Sequence, residues 1–111
     1  MIGGNIVANM QIKVVGEKNA IGQRDNTWQT VENMVGFLDY ISGDAMLVTF
    51  SAKVQESTHL FICDYKQTVA NLSAEESRAV INNKIYNILL IDNPMELNKH
   101  LELYLKYVGG Q

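Results

Sequence analysis

The sequence predicts an all-β fold, a small β-barrel or sandwich of about six antiparallel strands. Three observations carry that expectation. Near the C-terminus, Leu101, Leu103, Leu105 and Tyr107 alternate with His100, Glu102, Tyr104 and Lys106, the period of two of a half-buried strand. Short β-branched and aromatic runs recur along the chain, each closed by Gly, Asn, Asp or Pro. No segment carries the sustained apolar periodicity of a long helix.

In chain order, Met10-Gln-Ile-Lys-Val-Val15 reads as the first strand, with Ile12 and Val14 opposite Lys13. A second, longer strand runs from Trp28 to about Tyr40, and the lone Gly36 within it predicts an interruption or a bulge. Ser42-Gly43-Asp44 is a turn. Residues 44–57 read as a long loop, with a short helix or a β-finger as alternatives; Val48, Thr49, Phe50 and Val54 lean toward β. The third strand is Thr58–Tyr65, with His59, Phe61, Cys63 and Tyr65 on one face and Leu60 and Ile62 on the other. Ser73-Ala-Glu-Glu76 fits a capping box, but no apolar-periodic run follows, so at most a short helical turn is expected near 73–77.

Residues 78–91 read as a hairpin, because Asn82-Asn83 tolerates the left-handed backbone of a type I′ turn. The second arm of that hairpin, Lys84–Ile91, closes at Asp92-Asn93-Pro94, and Gly109-Gly110 ends the final strand. These patterns place Phe61, Tyr86, Ile88, Leu101 and Leu103 in the barrel core. Trp28 joins them as a core or barrel-closing aromatic, with an interface anchor as its functional alternative.

Composition excludes several classes. The 111 residues make one domain. A single cysteine cannot form an internal disulfide, which argues against a stapled secreted scaffold. No stretch reaches the roughly 18 apolar residues of a membrane span. The start, Met1-Ile-Gly-Gly-Asn-Ile-Val-Ala-Asn-Met10, lacks the basic and apolar regions of a signal peptide, so an intracellular chain is expected. A net charge of −3 lacks the basic footprint of a duplex-binding protein. Only 19% of residues are charged, which leaves surface open to contact with other subunits.

No catalytic, metal or cofactor set is legible. Cys63 and His59 share a strand face but stand four residues, or about 13 Å, apart along it, too far to pair. His59 and His100 form no metal-binding spacing, and the glycine pairs match no phosphate-binding loop. Lys53, Lys66 and Lys84 form no basic run, and the aromatics do not interleave with basic residues.

Four stretches, taken in order, resemble the head–tail joining family of tailed bacteriophages, the head-closure or stopper proteins of siphophage connectors. They are Gly22-Gln-Arg-Asp-Asn-Thr-Trp28, Val35-Gly36-Phe-Leu-Asp-Tyr-Ile-Ser42-Gly43-Asp44, and Glu56-Ser-Thr58-His59-Leu-Phe-Ile62-Cys-Asp-Tyr65. The fourth runs from Arg78 through Tyr86-Asn-Ile88 and Asp92-Asn-Pro-Met-Glu-Leu-Asn98 to Leu101-Glu-Leu103. The likeness spans residues 10–108. Two departures stand out: Tyr40 occupies the place of a frequent Pro, and Cys63-Asp64 that of a frequent Arg, so no role of that Arg carries over.

The resemblance implies a non-enzymatic β-barrel that assembles with itself as a ring, typically dodecameric, beneath the portal and its adaptor ring. Such a ring closes the DNA-filled capsid and offers the surface on which the tail terminator or tail tube docks. It implies a place in the virion, and in the host cytoplasm during assembly or as a prophage product. It also implies that residues 44–57 project into the channel, with Asp44, Thr49, Lys53, Gln55 and Glu56 as its candidate residues; an ordinary hairpin or a disordered loop is the plainer alternative. The channel DNA would be met without sequence-specific binding, and an acidic or neutral lumen suits DNA that must later pass. Two other functions stay open. One is a tail terminator or tail-completion neck protein. The other is a small single-strand nucleic-acid binder, with Trp28, Tyr86 and Tyr104 exposed beside lysines.

Overall fold

The computed structural model describes residues 3–18, 21–22, 24–40 and 57–110. Six strands carry the fold: β1 (Ile6–Lys18), β2 (Arg24–Tyr40), β3 (His59–Asp64), β4 (Ser77–Ile81), β5 (Lys84–Asp92) and β6 (His100–Gly110). They pair antiparallel throughout and close in the order β1-β2-β3-β6-β5-β4. The expected all-β fold is the one observed. Between β3 and β4 lie a one-turn helix, α1 (Gln67–Ala70), and a 3-10 turn at Ala74–Glu76. The sequence reading places that 3-10 turn but misses α1, whose four residues are too short for a periodic signal.

Alternation fills the interior. Leu101, Leu103 and Leu105 of β6 are fully buried, and they meet Phe61 and Cys63 of β3 in direct register, Phe61 against Leu103 and Cys63 against Leu101. Tyr86 and Ile88 of β5 complete this side, and Met10 of β1 lies opposite Ala79 of β4. The core is therefore a packed solid of side chains, as in other small barrels.

The β4–β5 hairpin forms as its turn chemistry predicts. Asn82 and Asn83 have φ of 52° and 63°, the two left-handed residues of a type I′ turn. The Asp-Asn-Pro segment also turns, through a 3-10 turn at Pro94–Glu96. There Asn93 Oδ1 accepts the backbone N–H of Asn98 at 3.1 Å, and Asn93 Nδ2 donates to Asn98 Oδ1 at 2.7 Å.

Three details differ from the sequence reading. Gly36 sits in unbroken register between Ile6 of β1 and Cys63 of β3, and the β2 bulge falls instead at Val31. Gly36 is required for close approach: a Cβ there would meet the Ile62 carbonyl oxygen and lie 2.7 Å from the Phe61 ring. Gly109-Gly110 lie within the end of β6 and do not follow it, since they pair with Ile85 and Lys84 at the start of β5. Tyr107 continues the leucine row, opposite Tyr86, but is exposed because it lies at the rim, past the last pair of β6 with β3 at Leu105.

β1 and β2 are longer than the barrel needs. β1 pairs with β4 only over Asn9–Ile12, and β2 pairs with β3 only over Gly36–Tyr40. Among the described residues, 13–18 and 24–28 pair only with each other and form a two-stranded arm. The molecule measures 49 Å along its longest axis against 28 and 26 Å across. The radius of gyration, 14.9 Å, exceeds the ~13 Å expected of a compact chain of this length.

Candidate functional site

A polar row crosses the outer wall at the root of the arm. Thr30, Gln11, Arg78 and Asn87 stand in register on β2, β1, β4 and β5, so their side chains share one face. Gln11 is nearly buried and is held from both sides. The Arg78 Nε–H donates to its Oε1 at 2.7 Å, and its Nε2 donates to Thr30 Oγ1 at 3.2 Å. Gln11 lies between Met10 and Ile12 and looks like an ordinary solvent-facing strand residue, so nothing in the sequence signals this row.

Trp28 belongs to this outer face and not to the core. It is 36% exposed, opposite Lys13 where the arm leaves the barrel, and the Arg78 guanidinium lies 4.3 Å from its ring centroid. The physical reason is register: at the arm, no third strand among the described residues closes an interior around the indole. A groove of about 320 Å³ runs beside it, walled by Trp28, the Ala74-Glu75 turn, Ser77, Asn87 and the bulged Leu89. The other candidate core residues, Phe61, Tyr86, Ile88, Leu101 and Leu103, are all buried.

At the rim near Tyr40 and Ser57, four rings form an edge-on series. Tyr40 meets His59 at 5.6 Å, His59 meets Tyr86 at 5.0 Å, and Tyr86 meets Tyr107 at 5.6 Å. Thr58 locks this rim. Its hydroxyl oxygen accepts the Tyr107 backbone N–H at 2.9 Å and contacts His59 Nδ1 at 2.8 Å. Partial burial first, and the Lys84 charge second, hold the His59 pKa below its ordinary value. The candidate channel residues Asp44, Thr49, Lys53, Gln55 and Glu56 lie outside the described residues.

Cys63 is fully buried, and burial, reinforced by Asp64, pushes its thiol up to about 12, far from a nucleophilic thiolate. Among the described residues, no three His, Cys, Asp or Glu side chains converge on a metal-sized site. No described helix is long and apolar enough to cross a membrane.

Exposed apolar side chains mark the rest of the outer surface. Val7 and Val35 face each other across β1 and β2, each 50% exposed, and Phe37 follows on the same face of β2. Val14 and Val15 are exposed on the arm, and Ile21 near its tip. No protein-family model matches the chain, and no curated protein matches it in sequence.

The chain is similar in fold to protein SF1141 from Shigella flexneri 2a. The two superpose with a TM-score of 0.68 over 95% of this chain and 93% of that one. Their sequence identity is 13%, so the likeness to SF1141 is one of fold alone.

Proposed function

We propose that this chain is a head–tail joining subunit of a tailed-phage connector. In that role it forms a ring below the portal and adaptor, closes the DNA-filled capsid and presents the tail-docking surface. The observation that carries the reading is where the apolar surface lies. The barrel interior is filled by its own side chains, while Val7, Val35 and Phe37 on the wall and Val14, Val15 and Ile21 on the arm face outward. A barrel built this way acts through its outside, and exposed apolar residues in a row are interaction surface. The ordered motifs from Gly22 to Leu103 supply the identity of the assembly.

The net charge of −3 suits a channel that retains DNA without gripping its phosphates. The single-strand reading draws less support, because Tyr86 is buried and Trp28 is covered on one face by Arg78, leaving no aromatic platform among the three residues it needs.

Electron microscopy of portal–adaptor complexes, with and without the purified chain, tests the proposal. A new ring of density below the adaptor is expected. Particles lacking the protein should lose packaged DNA. If no ring binds, and such particles stay DNA-filled and tail-competent, the reading fails. Closed heads carrying abnormal tails would point instead to a tail terminator.

A further inference from the structure

On the outer wall of β2, β3, β6 and β5, an apolar half meets an acidic half. Register sets Phe37, Ile62, Glu102 and Asp92 in one cross-strand row, and Asp39, Leu60, Tyr104 and Leu90 in the next. Val35 shares this face of β2 with Phe37 and meets Val7 of β1, and all three are exposed. Glu102 and Asp92 stand directly opposite each other, a like-charge pair that weakens the β5–β6 pairing. Both are half-buried. Glu102 meets His100 Nε2 at 3.1 Å and accepts the Tyr104 hydroxyl at 3.4 Å, but among the described residues neither carboxylate has a lysine or arginine partner. Burial first, then the charges of Glu102 and Asp92, push the Tyr104 pKa up, so both carboxylates act on this one patch.

We infer that this wall docks a polypeptide segment of a different protein in which lysine or arginine sits beside apolar side chains. The bases lie on Glu102 and Asp92, and the apolar side chains on Phe37, Ile62 and Val35. The row from Phe37 to Asp92 crosses three strand spacings, about 14 Å, so a single extended segment of about five residues reaches both halves. The inference builds on the outward contact surface of the proposed function and needs no ring.

Charge selects this occupant. On these rows and beside them stand Asp39, Asp64, Asp92 and Glu102, against Lys106 one outward position past Tyr104. Such a surface repels nucleic acid and anionic lipid. A second copy laid wall to wall would set carboxylates against carboxylates or against valine and phenylalanine, and burying an unpaired carboxylate is costly. Two adjacent carboxylates call for two bases, and the described bases of this chain stand singly or are engaged. Lys66 is held by Glu32 at 2.8 Å and Arg78 by Gln11 and Trp28, while Lys13, Lys84 and Lys99 lie on separate elements.

NMR of the isotope-labelled full chain, titrated with a short synthetic peptide alternating lysine and leucine, tests the inference. Amide shifts should move at Phe37, Ile62, Glu102 and Tyr104, and affinity should fall as salt is raised. The same peptide with glutamate for lysine should not bind. Asp92→Asn with Glu102→Gln removes the charges at constant shape, and Phe37→Ser removes an apolar contact; each should weaken binding by about tenfold or more. Amide shifts of β4 verify that these variants stay folded, and Val15→Ser on the arm should leave binding unchanged. The inference is overturned by no binding, by binding that the neutral variant keeps, by spermine moving the same amides as strongly as the peptide, or by self-association that the neutral variant abolishes. A chain that binds the peptide through this wall but ignores portal–adaptor complexes would sink the connector reading alone. A ring that forms on those complexes while the wall ignores the peptide would sink this inference alone.

Discussion

The guanidinium of Arg78 lies 4.3 Å over the ring of Trp28, and its Nε–H donates at the same time to the nearly buried Gln11. One side chain on β4 thus clamps both strands of the arm to the barrel, β2 through the indole and β1 through the amide. The arm's direction depends on this clamp, because the pairing of β1 with β4 ends at Ile12.

Arg78→Met keeps the apolar stem but removes the charge over Trp28 and the donor to Gln11. The expected loss is about 1–3 kcal/mol, the sum of a partly exposed cation–π contact and a nearly buried amide oxygen left unpaired. Urea unfolding measures it. A loss below a few tenths would show that the clamp is idle. Arg78→Lys should recover only part, since lysine lacks the planar fork.

Gly36→Ala should destabilise the barrel by about 1–3 kcal/mol through overpacking. The added methyl is directed at the Ile62 carbonyl and the Phe61 ring, and neither can retreat from the centre of the sheet and core. Chemical denaturation is again the measurement, and wild-type stability would mean that β2 and β3 separate at no cost.

Asn83→Gly should hold or raise stability, while Asn83→Ala should cost about 1 kcal/mol, because φ at this position is 63° and alanine has a Cβ penalty there. Equal stability of the two variants would contradict the type I′ turn.

Folding should strengthen as pH rises toward and through the ordinary histidine range. The His59 pKa is depressed in the fold, first by desolvation and then by Lys84. The unfolded chain therefore binds the proton more readily, and stability rises with pH where only the unfolded form is protonated. The His59 contribution is fully present above the unfolded value of about 6.5 and is lost as pH falls toward the folded pKa. NMR titration of the His59 ring, with unfolding followed across that range, should show the slope in the wild type and its absence in His59→Gln.

Much of the barrel was legible along the chain, because strand signals are local. The alternation of Leu101, Leu103 and Leu105 placed them inward, and Asn82-Asn83 placed the hairpin. Signals that depend on a partner strand were not legible. Gly36 carried a bulge signature, but its role is set by Phe61 and Ile62 across the sheet. Gln11 and Arg78 are 67 residues apart and become neighbours only through the β1–β4 register. Trp28 is apolar enough for a core and was placed there; strand pairing put it on the arm.

The sequence by itself determined an all-β chain, most of its turns and most of its buried residues. Each of these follows from side-chain period and turn chemistry within a few residues. The tertiary structure alone decided which strands are neighbours, and therefore that the sheet closes and that β1 and β2 outrun their pairing with β4 and β3. Those outcomes depend on the register between distant strands, and registry is a property of pairs that no single segment carries.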